Sequence, residues 1–303
     1  MRYAIIGTGA IGGYYGAKLA QSGQDVHFLL HSDYEFVKEN GLDIQSCEGS
    51  FHLDNVQAYS SSAAMPKSDV VIVALKTTNN NLLPALLTPI LQEHTLVLLI
   101  QNGIGVEADV QQMFPGAQLL AGLAFICSAK AEPGKVNHQA LGHINIGNYS
   151  CKDTDRLVQL MNDFTLAGIT VKEVPYEEAR WRKAVWNMPF NGMTVVMNTT
   201  TDRLLANPEM MQVVRGMMME VIEASRACGV TGIPDSFVDT MIDMTLGMVP
   251  YSPSMKLDYD FHRPMEIGYL YTRPLQIAHE HGYRMTRLEM LEAQLRVIED
   301  TRY

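Results

Sequence analysis

Basic residues are scarce in this chain. Lysine and arginine number 23 against 33 aspartates and glutamates, a formal net charge of −10. That balance argues against nucleic acid or an anionic membrane surface as a partner, since both favour basic faces. Cysteine is also sparse. Cys47, Cys127, Cys151 and Cys228 are scattered without paired spacing, so neither a disulfide framework nor a zinc site is expected, and a reducing cytoplasm fits. His138 and His143 lie five apart with no cysteine or carboxylate cluster beside them, so no metal centre is expected. No uninterrupted apolar run reaches the roughly 18 residues of a membrane span. The stretch from Leu82 to Ile100 comes nearest and is broken by Gln92, Glu93 and His94. Arg2 precedes apolar residues, but glycines interrupt them and no cleavage pattern follows, so no signal peptide is expected.

What remains is a folded, soluble composition: 47% apolar and 18% charged over 303 residues, long enough that two domains are the default. Nineteen methionines, including Met217, Met218 and Met219, read as adaptable core packing. The most informative local pattern is at the start. An apolar strand, Arg2 to Ile6, runs into Gly7, Thr8, Gly9, Ala10, Ile11 and Gly12, then a helix-like stretch from Tyr14, Gly23 as a stop, and a second strand, Val26 to Leu30. Three glycines at this spacing answer three demands of a bound dinucleotide. Gly7 allows a tight turn, Gly9 lets backbone approach the pyrophosphate, and Gly12 lets the helix pack close with its amides aimed at phosphate. The bland alternative is an ordinary tight turn between strand and helix.

Further apolar runs follow at Asp69 to Leu75, Leu96 to Ile100 and Leu119 to Gly122. They do not alternate with polar residues, as expected of strands buried on both faces of a parallel sheet. A strand pair, Val136 to His138 and His143 to Gly147, and a strand at Ile169 to Val171 complete the expected set. From about Tyr176 helical periodicity takes over, at 177–196, 208–228, 236–246, 266–281 and 284–299. The fold class expected is α/β: a Rossmann-like, doubly wound, mostly parallel sheet in residues 1–174, then an all-helical domain in residues 175–303. A cofactor on the first half suggests a substrate held between the two.

Within the first helical run, Lys183, Asn187 and Asn191 fall at i, i+4 and i+8, along one face. No Glu or Asp appears between Lys183 and Thr200, so the polar line reads as buried or cleft-facing. Pro189 is expected to bend it. The alternative is a surface strip with a proline kink.

These features resemble the ketopantoate reductase family over essentially the whole chain. The resemblance is carried by the glycine fingerprint, Gln101-Asn102-Gly103-Ile104-Gly105, the Trp181-x-Lys183-x-x-x-Asn187-x-x-x-Asn191 line, and Ser254-Met255 followed by Glu266 in Arg263-Pro264-Met265-Glu266-Ile267. It implies hydride transfer from NADPH to a 2-keto acid, most simply 2-dehydropantoate giving (R)-pantoate for pantothenate synthesis. Lys183 would be the general acid, and Glu266 would orient substrate and cofactor. Asn187, Asn191 and Ser254 would hold the substrate, and Asn102 would sit near the nicotinamide ribose and the lysine. Lys76, past the third strand, matches another position close to the cofactor. Taken singly, Glu266 reads equally as a helix-start carboxylate and Asn102 as a turn residue.

The chain departs from the family where His31, followed by Ser32 and Asp33, replaces an arginine that grips the 2′-phosphate of NADPH. An imidazole grips phosphate less firmly than a guanidinium, so NADH stays open as the less favoured coenzyme. Gly192-Met193 stands where relatives commonly have Pro-Leu, and Gly268, Tyr271 and Thr272 replace an Asp and an Asn-Gly pair. Those changes leave one rival, a reductase of another branched or aromatic 2-keto acid; because a glycine fingerprint reports binding and not turnover, a non-catalytic NADP-binding sensor is the other. Apolar side chains on the last helices form either core or the face of a homodimer.

Overall fold

A computed structural model describes residues 1–302. The chain divides into two compact units, one of Met1–Gln101 with Glu107–Tyr176, the other of Asn102–Val106 with the residues from Glu177 on. Sequence reading expects a single cut at 174/175. The short piece Asn102–Val106 groups with the helical unit because Ile104 donates its amide to the Tyr269 carbonyl (3.1 Å) and buries its side chain in the helical core.

The first unit is built on a ten-stranded sheet: β1 (Arg2–Ile6), β2 (Asp25–Leu29), β3 (Leu42–Ser46), β4 (Phe51–Leu53), β5 (Gln57–Tyr59), β6 (Val70–Val73), β7 (Leu96–Leu99), β8 (Gln118–Glu132), β9 (Lys135–Asn148) and β10 (Val171–Val174). The order is β4-β3-β9-β8-β7-β6-β1-β2-β5, with β10 also against β9. Only β3 with β4 and β8 with β9 pair antiparallel. Val70–Val73 and Leu96–Leu99 are wholly buried, which explains their unbroken apolar character. From β1 the chain winds to β2 on one side and later to β6 on the other. The carboxyl end of β1 is therefore a topological switch point, where an open parallel sheet leaves a crevice for ligand.

The expected pair of short strands at 136–138 and 143–147 is one continuous strand, β9, and the run at 119–122 is the start of β8, its 15-residue partner. The apparent break is a bulge, not a turn. Leu141 (φ 65°) and Gly142 (φ 122°) take left-handed conformations, and pairing steps from Phe125↔His143 to Ile126↔Leu141 across them. The strand expected at 169–171 begins two residues later, and the helix expected at 266–281 starts as a π-helical turn, Gly268–Thr272, before Arg273–Glu280.

The helical unit also contains Tyr176–Val196, which starts at the boundary, and Thr201–Ala206, Pro208–Ala227, Phe237–Leu246, Ser254–Asp260 and Thr286–Asp300. Met217 and Met218 lie in its core, as do Leu288, Leu291 and Leu295 of the last helix. Among the described residues, no helix is long and apolar enough to cross a membrane.

Two of the departures from the family pattern prove to be one packing arrangement. Tyr271 is fully buried and its hydroxyl donates to the Met188 carbonyl (2.5 Å). A Cβ on Gly192 would stand 2.6 Å from that hydroxyl and 2.7 Å from Leu291 Cδ2. The glycine is what admits the phenol beside the helix. Gly192→Ala is expected to destabilise the fold by about 1–3 kcal/mol, the usual cost of overpacking a core. Urea unfolding measures it, and an unchanged midpoint would refute the close approach.

Candidate active site

Two sets of functional side chains emerge, one in each unit. In the sheet unit the turn after β1 is shaped by close approach. Gly7 has φ +100° and a Cβ there would meet the Leu75 amide at 2.6 Å, while a Cβ on Gly12 would meet the Gly7 carbonyl at 2.3 Å. At Gly9 a Cβ would meet no protein atom within 4 Å, so the protein's own packing does not require glycine there. The helix Ala10–Gln21 begins directly behind it, with no side-chain cap and no acidic residue in its first turn. Its leading amides, Ala10 and Ile11 included, thus form a positive helix end open to phosphate. Thr8 Oγ1 donates to the Leu29 carbonyl (2.9 Å) and ties the turn to the end of β2.

His31 and Ser32 are exposed just beyond β2, and Lys76 is exposed just beyond β6, next to the Ala74-Leu75 backbone that packs on Gly7. Asp33 is different. It is buried, it accepts the Gly134 amide (3.3 Å), and its Oδ2 lies 2.5 Å from Lys130 Nζ. Its charge is committed to the β8–β9 hairpin. These residues fit a dinucleotide: an uncapped helix end, an open approach at Gly9, and polar groups at the tips of adjacent strands.

In the helical unit, Tyr176–Val196 carries the lysine line. Glu177 and Glu178 sit in its first turn, where acidic residues suit the helix dipole. The helix runs unbroken through Pro189 for 21 residues, so Lys183 and Asn191 stand about 12 Å apart along its axis. Lys183 and Asn187, both half-buried, line a small cavity closed by Gly103, Ile104 and Tyr269. Burial lowers the Lys183 ammonium to a pKa of about 7; Arg180 pushes the same way, and Glu266 opposes both. Glu266 is itself buried, at 4% exposure, just ahead of the π-helical turn. A lysine poised near neutrality beside a carboxylate can give and take a proton at physiological pH.

Asn191 has a different position from Lys183 and Asn187. It is buried, donates Nδ2–H to the Asn187 carbonyl (2.9 Å), and its Oδ1 accepts the Met255 amide (3.0 Å) and the Ser254 hydroxyl (3.4 Å). It thereby caps the helix Ser254–Asp260 from outside and joins it to the lysine helix. Asn102 is half-buried and immediately precedes the cavity residue Gly103. Sequence reading missed Arg180, Ile104 and Tyr269, which line the same cavity. The signal for Arg180 was its i−3 spacing from Lys183.

Known proteins match this chain along nearly its whole length. Residues 3–150 match the family model "Ketopantoate reductase PanE/ApbA", and residues 176–299 match its C-terminal counterpart. A 2-dehydropantoate 2-reductase of Nostoc sp. is 45% identical over 306 residues, covering 98% of this chain and 95% of that protein. The crystal structure of a 2-dehydropantoate 2-reductase from Geobacter metallireducens superposes with a TM-score of 0.95 at 40% identity, covering 98% of this chain and 99% of the other. One from Methylococcus capsulatus gives 0.91 at 31% identity, covering 100% and 98%.

The bracing role of Asn191 is open to test. Asn191→Ala leaves the buried Met255 amide without its acceptor, and the expected cost is about 1–3 kcal/mol of stability. Thermal unfolding reads it, and a variant as stable as the parent would show that Asn191 braces nothing.

Proposed function

The chain belongs to the ketopantoate reductase PanE/ApbA family, and from that premise we propose that it reduces 2-dehydropantoate to (R)-pantoate with NADPH, Lys183 supplying the proton. The 2-dehydropantoate 2-reductase activity follows from family membership and full-length identity to enzymes of that name. The reaction belongs to pantothenate synthesis, and four free cysteines agree with a cytoplasmic setting.

The observation that carries the mechanism is the Lys183 amine, titrating near 7 in a cavity it shares with Asn187. When bound, NADPH supplies the hydride that reduces the keto carbon. Lys183 holds a proton at Nζ, places it against the keto oxygen, and releases it as negative charge develops there. The neutral amine regains a proton from water. Glu266 keeps the ammonium charged against the pull of burial. Asn187 offers amide donors to the substrate, and Asn102 immediately precedes Gly103, which lines the same cavity. Asn191 and Ser254 act on the substrate through the helix ends that they hold together.

Selection of NADPH over NADH is supported by the strand tips. Asp33, whose carboxylate alone would repel a 2′-phosphate or favour a bare ribose hydroxyl, is paired with Lys130, leaving His31, Ser32 and Lys76 as the exposed groups. Three of the departures that suggested a different 2-keto acid do not line the lysine cavity. Tyr271 and Gly192 are packed into each other, and Thr272 is engaged with Glu292 and Arg296. None of the three is among the residues lining the lysine cavity.

A panel of 2-keto acids, each with NADPH and NADH, should show clear preference for 2-dehydropantoate and NADPH; preference for an aromatic keto acid would reverse the substrate assignment. Lys183→Ala should lower kcat by about 10²- to 10⁴-fold while NADPH still binds. The pH profile carries a sign. Because the protonated lysine is the working form, kcat/KM should be level below pH about 7 and decline above it. Glu266→Gln removes the group that sustains the charge, so the decline should begin at lower pH. A decline displaced upward, or none, would remove Lys183 as the acid.

A further inference from the structure

This inference rests on the NADPH reading and concerns what sets the charge preference for the coenzyme. In a dinucleotide-binding sheet an acidic residue just after the second strand takes the bare ribose hydroxyl of NAD, and a cation there accommodates the 2′-phosphate of NADP. Asp33 lies just after β2, at the N-cap of the helix Tyr34–Asn40. An N-cap aspartate ordinarily turns back to accept the first amides of its helix. Asp33 makes no such bond. It turns to the β8–β9 hairpin instead, accepting the Gly134 amide (3.3 Å) and pairing with Lys130 Nζ (2.5 Å). Its side chain is 5% exposed, so water screens the charge poorly and the cation is what offsets it. The next carboxylate, Glu35, is exposed and screened by solvent. The sheet itself brings Lys130 to this place. β8 runs parallel to β7 and pairs with it only from Gln118 to Ala121. It then continues to Glu132, past the carboxyl ends of the parallel strands, on the side where such sheets bind ligand. The turn beyond it is seated on the helix after β2. A Cβ on Gly134 would meet the Phe36 ring at 2.8 Å, and the Gly134 carbonyl accepts the Asp43 amide (2.8 Å).

We propose that Lys130 is a specificity-determining residue for the coenzyme: by pairing with Asp33 it cancels the buried negative charge at the tip of β2 and so admits the 2′-phosphate. It acts through Asp33 and needs no contact with the coenzyme. Without it, Asp33 is the acidic residue of an NAD-type site. The long hairpin thus has a function beyond closing the sheet, since it carries the charge that decides between the two coenzymes.

The test measures dissociation constants of NADPH and NADH by fluorescence titration, without substrate, for wild type, Lys130→Gln, Lys130→Arg and the double variant Lys130→Gln with Asp33→Asn. The pair 2′,5′-ADP and 5′-AMP, titrated by calorimetry, isolates the 2′-phosphate. Lys130→Gln should lower the preference for NADPH over NADH about five- to thirtyfold, the effect of an uncompensated charge facing a phosphate across partly solvated space. The loss should fall on NADPH and 2′,5′-ADP, with NADH and 5′-AMP within about twofold of wild type. Lys130→Arg keeps the charge and should keep the ratio. The double variant removes both charges and should return the ratio to within about threefold of wild type. A tie that serves only the fold gives a different pattern: Lys130→Gln weakens both coenzymes equally, or the double variant recovers nothing, and either result overturns the proposal. If circular dichroism shows Lys130→Gln unfolded, Asp33→Asn decides the matter. That variant leaves the Lys130 charge uncompensated, so preference for NADPH should rise above wild type, and an unchanged ratio refutes the assignment. A wild type that binds NADH as tightly as NADPH would instead overturn the NADPH reading, while the ratios of the variants relative to it would still decide the role of Lys130.

Discussion

The helical unit is organised around the burial of an ammonium group. Lys183 sits on a helix whose other faces enter a continuous apolar core, from Trp181 and Val185 through Phe190 to Val195. Removing a lysine's charge from water is unfavourable, and the depression of its pKa to about 7 records that. The cost is tolerated because Glu266 is fixed nearby on a backbone that cannot relax away. Met265 donates its amide to Glu299, and Tyr271 is bonded to the lysine helix at Met188. The same restraints that keep the carboxylate close oppose part of the lowering that burial imposes on the lysine. The stability of the unit and the proton transfer proposed for Lys183 thus draw on one arrangement, with Asn191 linking the lysine helix to Ser254 and Met255.

The sheet unit obeys a different constraint, that of backbone against backbone. Gly12 sits under the Gly7 carbonyl, and Gly7 against the Leu75 amide, so neither position has room for a side chain. Both glycines are required by the fold before any ligand is considered. Gly9 is the one of the three whose freedom the protein does not use, and it stands at the uncapped start of the helix Ala10–Gln21. A motif of three glycines therefore separates into two that build the turn and one that leaves it accessible. Its placement at the end of β1, between β2 and β6, follows from strand order and not from the motif itself.

Much of this was legible in the chain. Strands buried on both faces announce themselves as apolar runs, which is why β1, β6 and β7 were placed within a residue or two. The outer half of β8 was not legible, because it is largely polar, with Ser128 opposite His138, Ala129 opposite Asn137 and Glu132 opposite Lys135, and polar strands carry little apolar signal. Leu141-Gly142 read as a turn because left-handed residues serve bulges and turns alike. The lysine line was visible from its four-residue spacing, but Arg180 was hidden among Arg182 and Glu178, which pair with each other at 2.6 Å. Spacing alone does not say which member of a charged stretch turns inward.

The departures from family pattern carry a related lesson about reading substitutions one at a time. Gly192 and Tyr271 lie 79 positions apart and each, alone, suggests a reshaped substrate site. In space they are complementary, since the side chain missing from one is the volume occupied by the other. The phenol hydroxyl then finds the Met188 carbonyl, a few residues from Lys183, so the exchange preserves both packing density and hydrogen bonding at the helix that bears the lysine. A pair of changes that conserves volume and polar satisfaction leaves the residues lining the lysine cavity, Lys183, Asn187 and Arg180 among them, untouched.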